Sequence, residues 1–185
     1  MPHLDYLRIY VPKDSRLISS YGFDTIAPEL FANFETINYA ADPDLAIIEH
    51  KKEIDGQSKT EIFMENDKTV FANWLKTEPG QTKKITINYQ LPFKLDLNKT
   101  AKQSDLLDQI IKNLNDEYES NTERYSLLWQ KQSGRHNFDI NVNIKFPDNF
   151  NYHLTYPDEL SQQNKQFTYK TKLNTDQLIG LVFSR

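Results

Sequence analysis

Two stretches of this chain alternate apolar and polar residues in the same register, and each stops at a proline. The first reads WLKTEPGQTKKITINYQLP from Trp74 to Pro92, the second WQKQSGRHNFDINVNIKFP from Trp129 to Pro147. A shift of 55 positions lays Ile85, Ile87, Tyr89 and Leu91 on Ile140, Val142, Ile144 and Phe146, and the polar Thr86, Asn88 and Gln90 on Asn141, Asn143 and Lys145. Successive side chains of a strand point to opposite sides of a sheet, so the pattern predicts half-buried strands of the antiparallel kind. Pro79-Gly80 and Ser133-Gly134 lie just upstream. Glycine reaches positive φ and proline presets the first turn position, so each copy reads as a hairpin. The closing proline has no N–H to give to a ladder, and it ends the strand or holds it at an edge.

The same stop rule governs Leu7, Ile9 and Val11 before Pro12. Further strands are expected over Lys59 to Met64, Thr69 to Lys76, Arg124 to Lys131, Gln166 to Leu173 and Gln177 to Phe183, with ENDK at Glu65 to Lys68 as a hairpin tip. One segment breaks the period. Leu106, Leu107, Ile110, Ile111, Leu114 and Tyr118 fall at three-and-four spacing behind Ser104 as a cap, with Asp105 and Asp108 in the first turn, which predicts an amphipathic helix over 104–118. Between Asp24 and Gly56 the pattern is irregular, with strands expected at Phe34 to Tyr39 and Ala46 to Lys52. Many short strands between turn signals favour a sandwich over a parallel sheet. The chain therefore reads as mainly β, an antiparallel β-sandwich of immunoglobulin-like architecture in two related halves. Residues 1–97 form the first part, 98–121 a helical connection and 122–185 the second part, packed with the first as a single unit.

Composition narrows the function classes. The 22 basic and 26 acidic residues are interspersed, the net charge is -4, and no electrostatic footprint for nucleic acid results. Ten Tyr and eleven Phe with only five Gly describe a chain that folds. Without cysteine there is no disulfide, thiol nucleophile or thiolate metal site. No apolar run is long enough to cross a bilayer, and MPHLDYLRIYVP lacks the parts of a secretion signal.

The opening LDYLRIYVPKDSRLISSYGFD, the centre KTVFANWLKTEPGQTKKITINYQLPF and the later YSLLWQKQSGRHNFDINVNIKFP, taken together and in that order, resemble the C-terminal β-rich region of the bacterial domain of unknown function 4012 family. The resemblance runs from Leu4 to about Pro147 and weakly to the end. It implies a cell-envelope protein with an N-terminal membrane anchor and a long outward region that this segment lacks, hence a fragment with its anchor upstream and an extracellular or cell-surface location. The family carries no assigned activity.

The residues themselves point away from catalysis. His3, His50, His136 and His153 show no metal-binding spacing. Asp42 and Asp44 offer calcium-type oxygens without the surrounding loop, and read as a solvated turn. No nucleophile elbow, phosphate-cradling loop or dinucleotide fingerprint occurs, so no catalytic, cofactor or metal residue is assigned and no cofactor is expected. The sequon at Asn98 marks only a surface stretch. Pro12, Pro92 and Pro147 with Lys83, Lys84 and Lys145 read as edge protection. Trp74, Trp129, Tyr6, Tyr10, Tyr152 and Tyr156 are the rings a ligand would meet. Matching positions make the two tryptophans core anchors, whereas Tyr10 falls out of phase with Leu7, Ile9 and Val11 and is expected at the surface beside Arg8. The expected function is a non-catalytic structural or interaction module of a bacterial envelope protein. The alternative is a carbohydrate-binding module for envelope polysaccharide. Partners are then other envelope proteins or cell-wall polysaccharide, with no nucleic acid and no membrane contact by this segment.

Overall fold

Alternating patterns become antiparallel ladders throughout the described part of the chain. The computed structural model describes residues 2–27, 43–44, 51–94, 122–134 and 138–184, and it divides into two units, Met1–Lys94 and Leu95–Arg185. The first holds β1 (His3–Pro12), β2 (Arg16–Tyr21), β3 (Glu53–Ile54), β4 (Glu61–Glu65), β5 (Lys68–Thr77) and β6 (Thr86–Gln90). The second holds β7 (Thr122–Trp129), β8 (Phe138–Lys145), β9 (Asn151–Tyr156), β10 (Ser161–Gln163), β11 (Gln166–Leu173) and β12 (Gln177–Ser184). Four sheets result, ordered β1-β5-β4-β3 and β2-β6 in the first unit, and β10-β11-β8 and β7-β12-β9 in the second. The fold is mainly β and sandwich-like. The predicted helix over 104–118, the sequon and the strand at 34–39 lie outside the described residues. So does most of the strand expected at 46–52.

The ENDK tip is a hairpin as the sequence predicts. Asn66 and Asp67 take φ of 50° and 57° between β4 and β5, the left-handed pair that a type I′ turn requires. A second such tip at Asn164 and Lys165, with φ of 49° and 59°, joins β10 to β11. A lysine is unusual there. Its Nζ donates to the Phe150 carbonyl and its own carbonyl accepts from Phe146 N–H, which holds the turn from both sides.

Both sequence copies form a strand, a turn and a second strand, but neither is a hairpin. β5 pairs with β1 and β4 while β6 pairs with β2, and β7 pairs with β12 while β8 pairs with β11. Each turn therefore carries the chain from one sheet to another. Gly80 and Gly134 sit in it at φ of 76° and 77°. Eight residues lie between the end of β5 at Thr77 and the start of β6 at Thr86, too many for a tight reversal, and the two strands join different sheets. The sequence also passes over β2, β3, β9 and β10, which are short or weakly alternating.

A strand that leaves its sheet exposes backbone groups, and both units answer this in the same way. In the first unit β4 pairs with β5 only as far as Ala72. Beyond it Asp24 N–H donates to Trp74 O at 3.0 Å, and the Asp24 carboxylate accepts the Lys76 N–H at 2.8 Å. In the second, Asp176 Oδ1 accepts the Lys131 N–H at 2.8 Å. Lys76 and Lys131 each stand two residues past their tryptophan, and Asp24 and Asp176 each stand three past the end of the strand that pairs with the post-turn strand. Lys83 Nζ adds contacts of 2.7 and 2.9 Å to Asp24. That ion pair, with the Lys76 N–H, holds the Asp24 carboxyl below its ordinary 3.8.

The two interiors differ in kind. The second is a ring cluster, in which Phe146 lies 4.9 Å from Phe183 and edge-on to Phe167 at 5.9 Å, with Phe150 5.6 Å from Phe183. Ile140, Val142, Tyr169, Ile179 and Leu181 complete it. The first is partly polar. Phe71 meets Tyr89 across the sheets at 5.8 Å, and beside them fully buried Thr60 touches Ser20 at 3.1 Å and receives Asn73 Nδ2 at 3.2 Å. Asn73 Nδ2 also donates to Ser58 O, so the buried amide is satisfied.

Two measurements test this account. Gly22 has φ of 91°, and a Cβ there would lie 2.1 Å from the Lys84 carbonyl oxygen. Gly22→Ala should therefore cost about 2 kcal/mol or more in denaturant unfolding, and a neutral result would overturn the close approach of the residue after β2 to the segment that leads into β6. Asp24 has a depressed pKa, so its contribution is complete above the ordinary value and lost as pH falls through the lower folded one. Asp24→Asn should cost about 1 kcal/mol at pH 7, because the partly exposed pair is screened, and should flatten the acid limb of a stability profile. An unchanged limb would show that another carboxylate sets it.

Candidate functional site

On the outward face of β1, β5 and β4, large side chains of the outer strands meet across small residues of the middle one. Register places Tyr6 opposite Trp74, Arg8 opposite Ala72 and Tyr10 opposite Val70, with Glu61 and Phe63 beyond Ala72 and Val70. The outer strands stand about 10 Å apart across β5. Tyrosine and glutamate together span that gap, whereas a large residue on β5 would block it. Tyr6 Oη donates to Glu61 Oε2 at 2.6 Å, and Tyr10 Oη donates to Glu65 Oε2 at 2.7 Å. Arg8 Nη1 donates to both oxygens of Glu65 at 3.3 Å, and Lys52 Nζ lies 2.9 Å from Glu61 Oε2. Val70 and Ala72 are wholly buried.

Rings and cations interleave on this face. Tyr6 and Trp74 are 5.0 Å apart at 50°. The Arg8 guanidinium lies 5.5 Å from the Tyr6 ring centre and 6.0 Å from that of Phe63, and Lys52 Nζ lies 5.3 Å from Phe63. Each cation thus has both a carboxylate and the negative face of a ring, the geometry of a cation–π contact. Burial and the hydrogen bond to Glu61 push the Tyr6 phenol well above its ordinary 10.0. Burial opposes ionisation of Glu61, but the Tyr6 and Lys52 hydrogen bonds outweigh it and leave the carboxyl below its ordinary value. The cluster is set by its own ion pairs before any ligand arrives.

The sequence names Tyr6, Tyr10 and Trp74 among its candidate rings, and the structure brings these three to one face. Tyr10 is 46% exposed beside Arg8, as its phase predicts. Trp74 is not a core anchor. Phe71 and Asn73 point inward, so Trp74 points out and rests half-buried on Tyr6. Trp129 ends β7 opposite Gln177 and is 40% exposed, so it anchors no core either. Tyr152 and Tyr156 lie on β9 in the second unit, both exposed, and Tyr152 meets Phe167 edge-on at 5.3 Å. The sequence reading passes over Glu61, Glu65, Phe63 and Lys52. The ENDK tip held the signal for the β4 residues, because a two-residue turn fixes which of them stand across from β5.

Other chemistry-bearing residues do not converge. His3 pairs with Asp5 at 2.9 Å on the surface, His50 and His136 lie outside the described residues, and of the Asp42 and Asp44 pair only Asp44 is described, exposed. His153 Nε2 lies 2.7 Å from Ser184 Oγ. The pair joins neighbouring strands at an exposed position and lines neither of two depressions formed by described residues of the second unit. One of these, walled by Phe146, Phe150, Tyr152, Lys165, Phe167 and Phe183, has room for about 10 Å³, which barely admits one water. The other is a shallow groove of about 390 Å³ between Asp139, Asn141, Lys170 and Lys172. Among the described residues no group of three metal-binding side chains forms, and no helix is long and apolar enough to cross a membrane.

The Tyr6 bridge makes a spectroscopic prediction. In an alkaline titration followed by phenolate absorbance, the difference between the chain and its Tyr6→Phe variant should show one tyrosine ionising well above 10.0. A difference curve centred at the ordinary phenol value would mean that the bridge to Glu61 does not form. In the comparison with known proteins, no family model, curated protein or solved structure matches this chain.

Proposed function

We propose that this chain is a non-catalytic interaction module of a bacterial cell-envelope protein, immunoglobulin-like in architecture, which holds a protein partner at the cell surface through the outward face of β1, β5 and β4. The resemblance to the domain of unknown function 4012 family points to the envelope. The observation that carries the binding reading is the interlocked set of Tyr6, Tyr10, Trp74 and Arg8, three aromatic rings and a guanidinium fixed by Glu61 and Glu65 on an otherwise solvent-facing sheet. Tyr, Trp and Arg are the residue types that dominate binding energy at protein interfaces. Side chains already ordered lose less entropy on docking.

The test is co-sedimentation of the labelled chain with isolated bacterial envelopes, intact and protease-stripped. Saturable binding is expected on intact envelopes, with a component that a folded Arg8→Ala, Tyr10→Ala double variant weakens at least tenfold and that is absent from stripped envelopes. Equal binding by the variant would remove this face from the function, and a component on stripped envelopes that the variant loses would replace its protein partner by a polysaccharide.

A further inference from the structure

The solvent face of the β10-β11-β8 sheet differs from that of the first unit in a way that charge pairing exposes. Period two sends Ile140, Val142, Ile144, Phe167 and Tyr169 into the ring cluster, and it sends Asp139, Asn141, Asn143 and Lys145 of β8 outward opposite Lys172, Lys170, Thr168 and Gln166 of β11. All eight outward residues are polar. β10 extends the face with Ser161 and Gln163, which stand opposite Thr168 and Gln166.

Lys145, Lys170 and Lys172 are exposed, and none has a carboxylate partner among the described residues, although Asp139 stands directly across from Lys172. In the first unit Arg8, Lys13, Lys52, Lys76 and Lys83 are paired, while Arg16, Lys51, Lys59, Lys68, Lys84 and Lys94 have no ion pair among the described residues and do not gather on one strand pair of a sheet face. A chain of net charge -4 thus leaves three cations open on one strand pair. The side chains of Asn141 and Asn143 have no hydrogen-bond partner among the described residues either, and each amide offers both donors and acceptors. Between Asp139, Asn141, Lys170 and Lys172 lies the groove of about 390 Å³, within the size range of small-molecule sites.

We infer that this face binds an extended acidic polysaccharide, with lysines meeting its carboxylates and Asn141 and Asn143 its hydroxyls. Charge complementarity selects an anion, and the spacing selects the kind. Lys170 and Lys172 are two residues apart on one strand, about 7 Å, and the track from Lys172 to Gln166 is about 20 Å long. Nucleic acid carries far denser charge, about one per 1.7 Å of duplex, and proteins that hold single strands add aromatic rings for the bases to stack on. The outward residues of β8 and β11 include no ring. A polymer with about one carboxylate per sugar and hydroxyls between offers anions to Lys170 and Lys172, consecutive on the outward face of β11, and hydroxyls to Asn141 and Asn143 beside them on β8. The site lies in the second unit and stands whether or not the face of β1, β5 and β4 binds a protein.

The experiment titrates the whole chain with polygalacturonate, neutral dextran and single-stranded DNA, at low and moderate salt, by calorimetry. Binding to polygalacturonate that weakens with salt, no binding to dextran, and a loss of at least tenfold in Lys170→Glu, Lys172→Glu is the expected result. Asn141→Ala should weaken binding severalfold without changing the salt dependence. Arg8→Ala, Tyr10→Ala should bind polygalacturonate as the unchanged chain does, which separates this site from the proposed protein-binding face. All variants alter exposed residues, and an unchanged unfolding midpoint confirms that they fold. No binding to polygalacturonate, equal binding by the lysine variant, or tighter binding to DNA would overturn the inference.

Discussion

In each unit a carboxylate accepts a backbone N–H at the point where a strand departs from its sheet. A strand leaving one sheet for another presents N–H groups that no ladder satisfies, and such a group left buried costs about as much as a lost hydrogen bond. Asp24 and Asp176 meet this need for Lys76 and Lys131. Each aspartate ends the connection from the strand that pairs with the post-turn strand, β2 with β6 and β11 with β8. The carboxylate therefore ties together the sheet the chain is leaving and the sheet it is joining. Asp24 does more than its counterpart, because Lys83 also binds it from the segment after the turn.

The clamp leaves the interior free to vary, and the units use that freedom differently. Around Phe183 the second unit packs rings at 4.9 and 5.6 Å, and burial of such side chains contributes roughly 2 to 3 kcal/mol each. In the first unit Thr60, Ser20 and Asn73 occupy the centre, linked to Ser58, whose hydroxyl and N–H both bond the Asp55 carboxylate. Buried polar groups contribute little net stability but are costly to misplace. The first unit is thereby held in one register by directional bonds, and the second by shape.

The strands were legible because alternation is a local signal. β11 is found at the residues that the pattern marks, and β12 extends one residue further. The turn at Asn66 and Asp67 was legible for the same reason. The hairpin reading of Trp74 to Pro92 failed because turn chemistry does not say which partner a strand takes. Nor could a shift of 55 residues have found the clamps. β2 and Asp24 precede the first copy while β11 and Asp176 follow the second, so the shared arrangement runs in a different chain order in each unit. The tryptophans misled because their matching places lie outside the alternating run, and the inward phase of β5 belongs to Phe71 and Asn73. On the face of β1, β5 and β4 the sequence showed the rings but not the carboxylates that lock them, since Glu61 and Glu65 are more than fifty positions from Tyr6, Arg8 and Tyr10.

Charge disposition separates the two outward faces more sharply than residue type does. On β1, β5 and β4 Arg8 and Lys76 have carboxylate partners and Lys52 joins Glu61, while Lys68 has no ion pair among the described residues, so the ordered rings sit among largely compensated charges. A partner there must gain from contact area, because the local charges are already largely compensated. On β8 and β11 the lysines have no ion-pair partner among the described residues, and apart from Asp139 the remaining outward residues are amide and hydroxyl. Contact there must draw on charge and hydrogen bonding, which salt weakens and a shape-matched apolar surface cannot supply. Two surfaces with such different requirements suit two different partners, and under the two proposals this segment would join a protein to an acidic glycan.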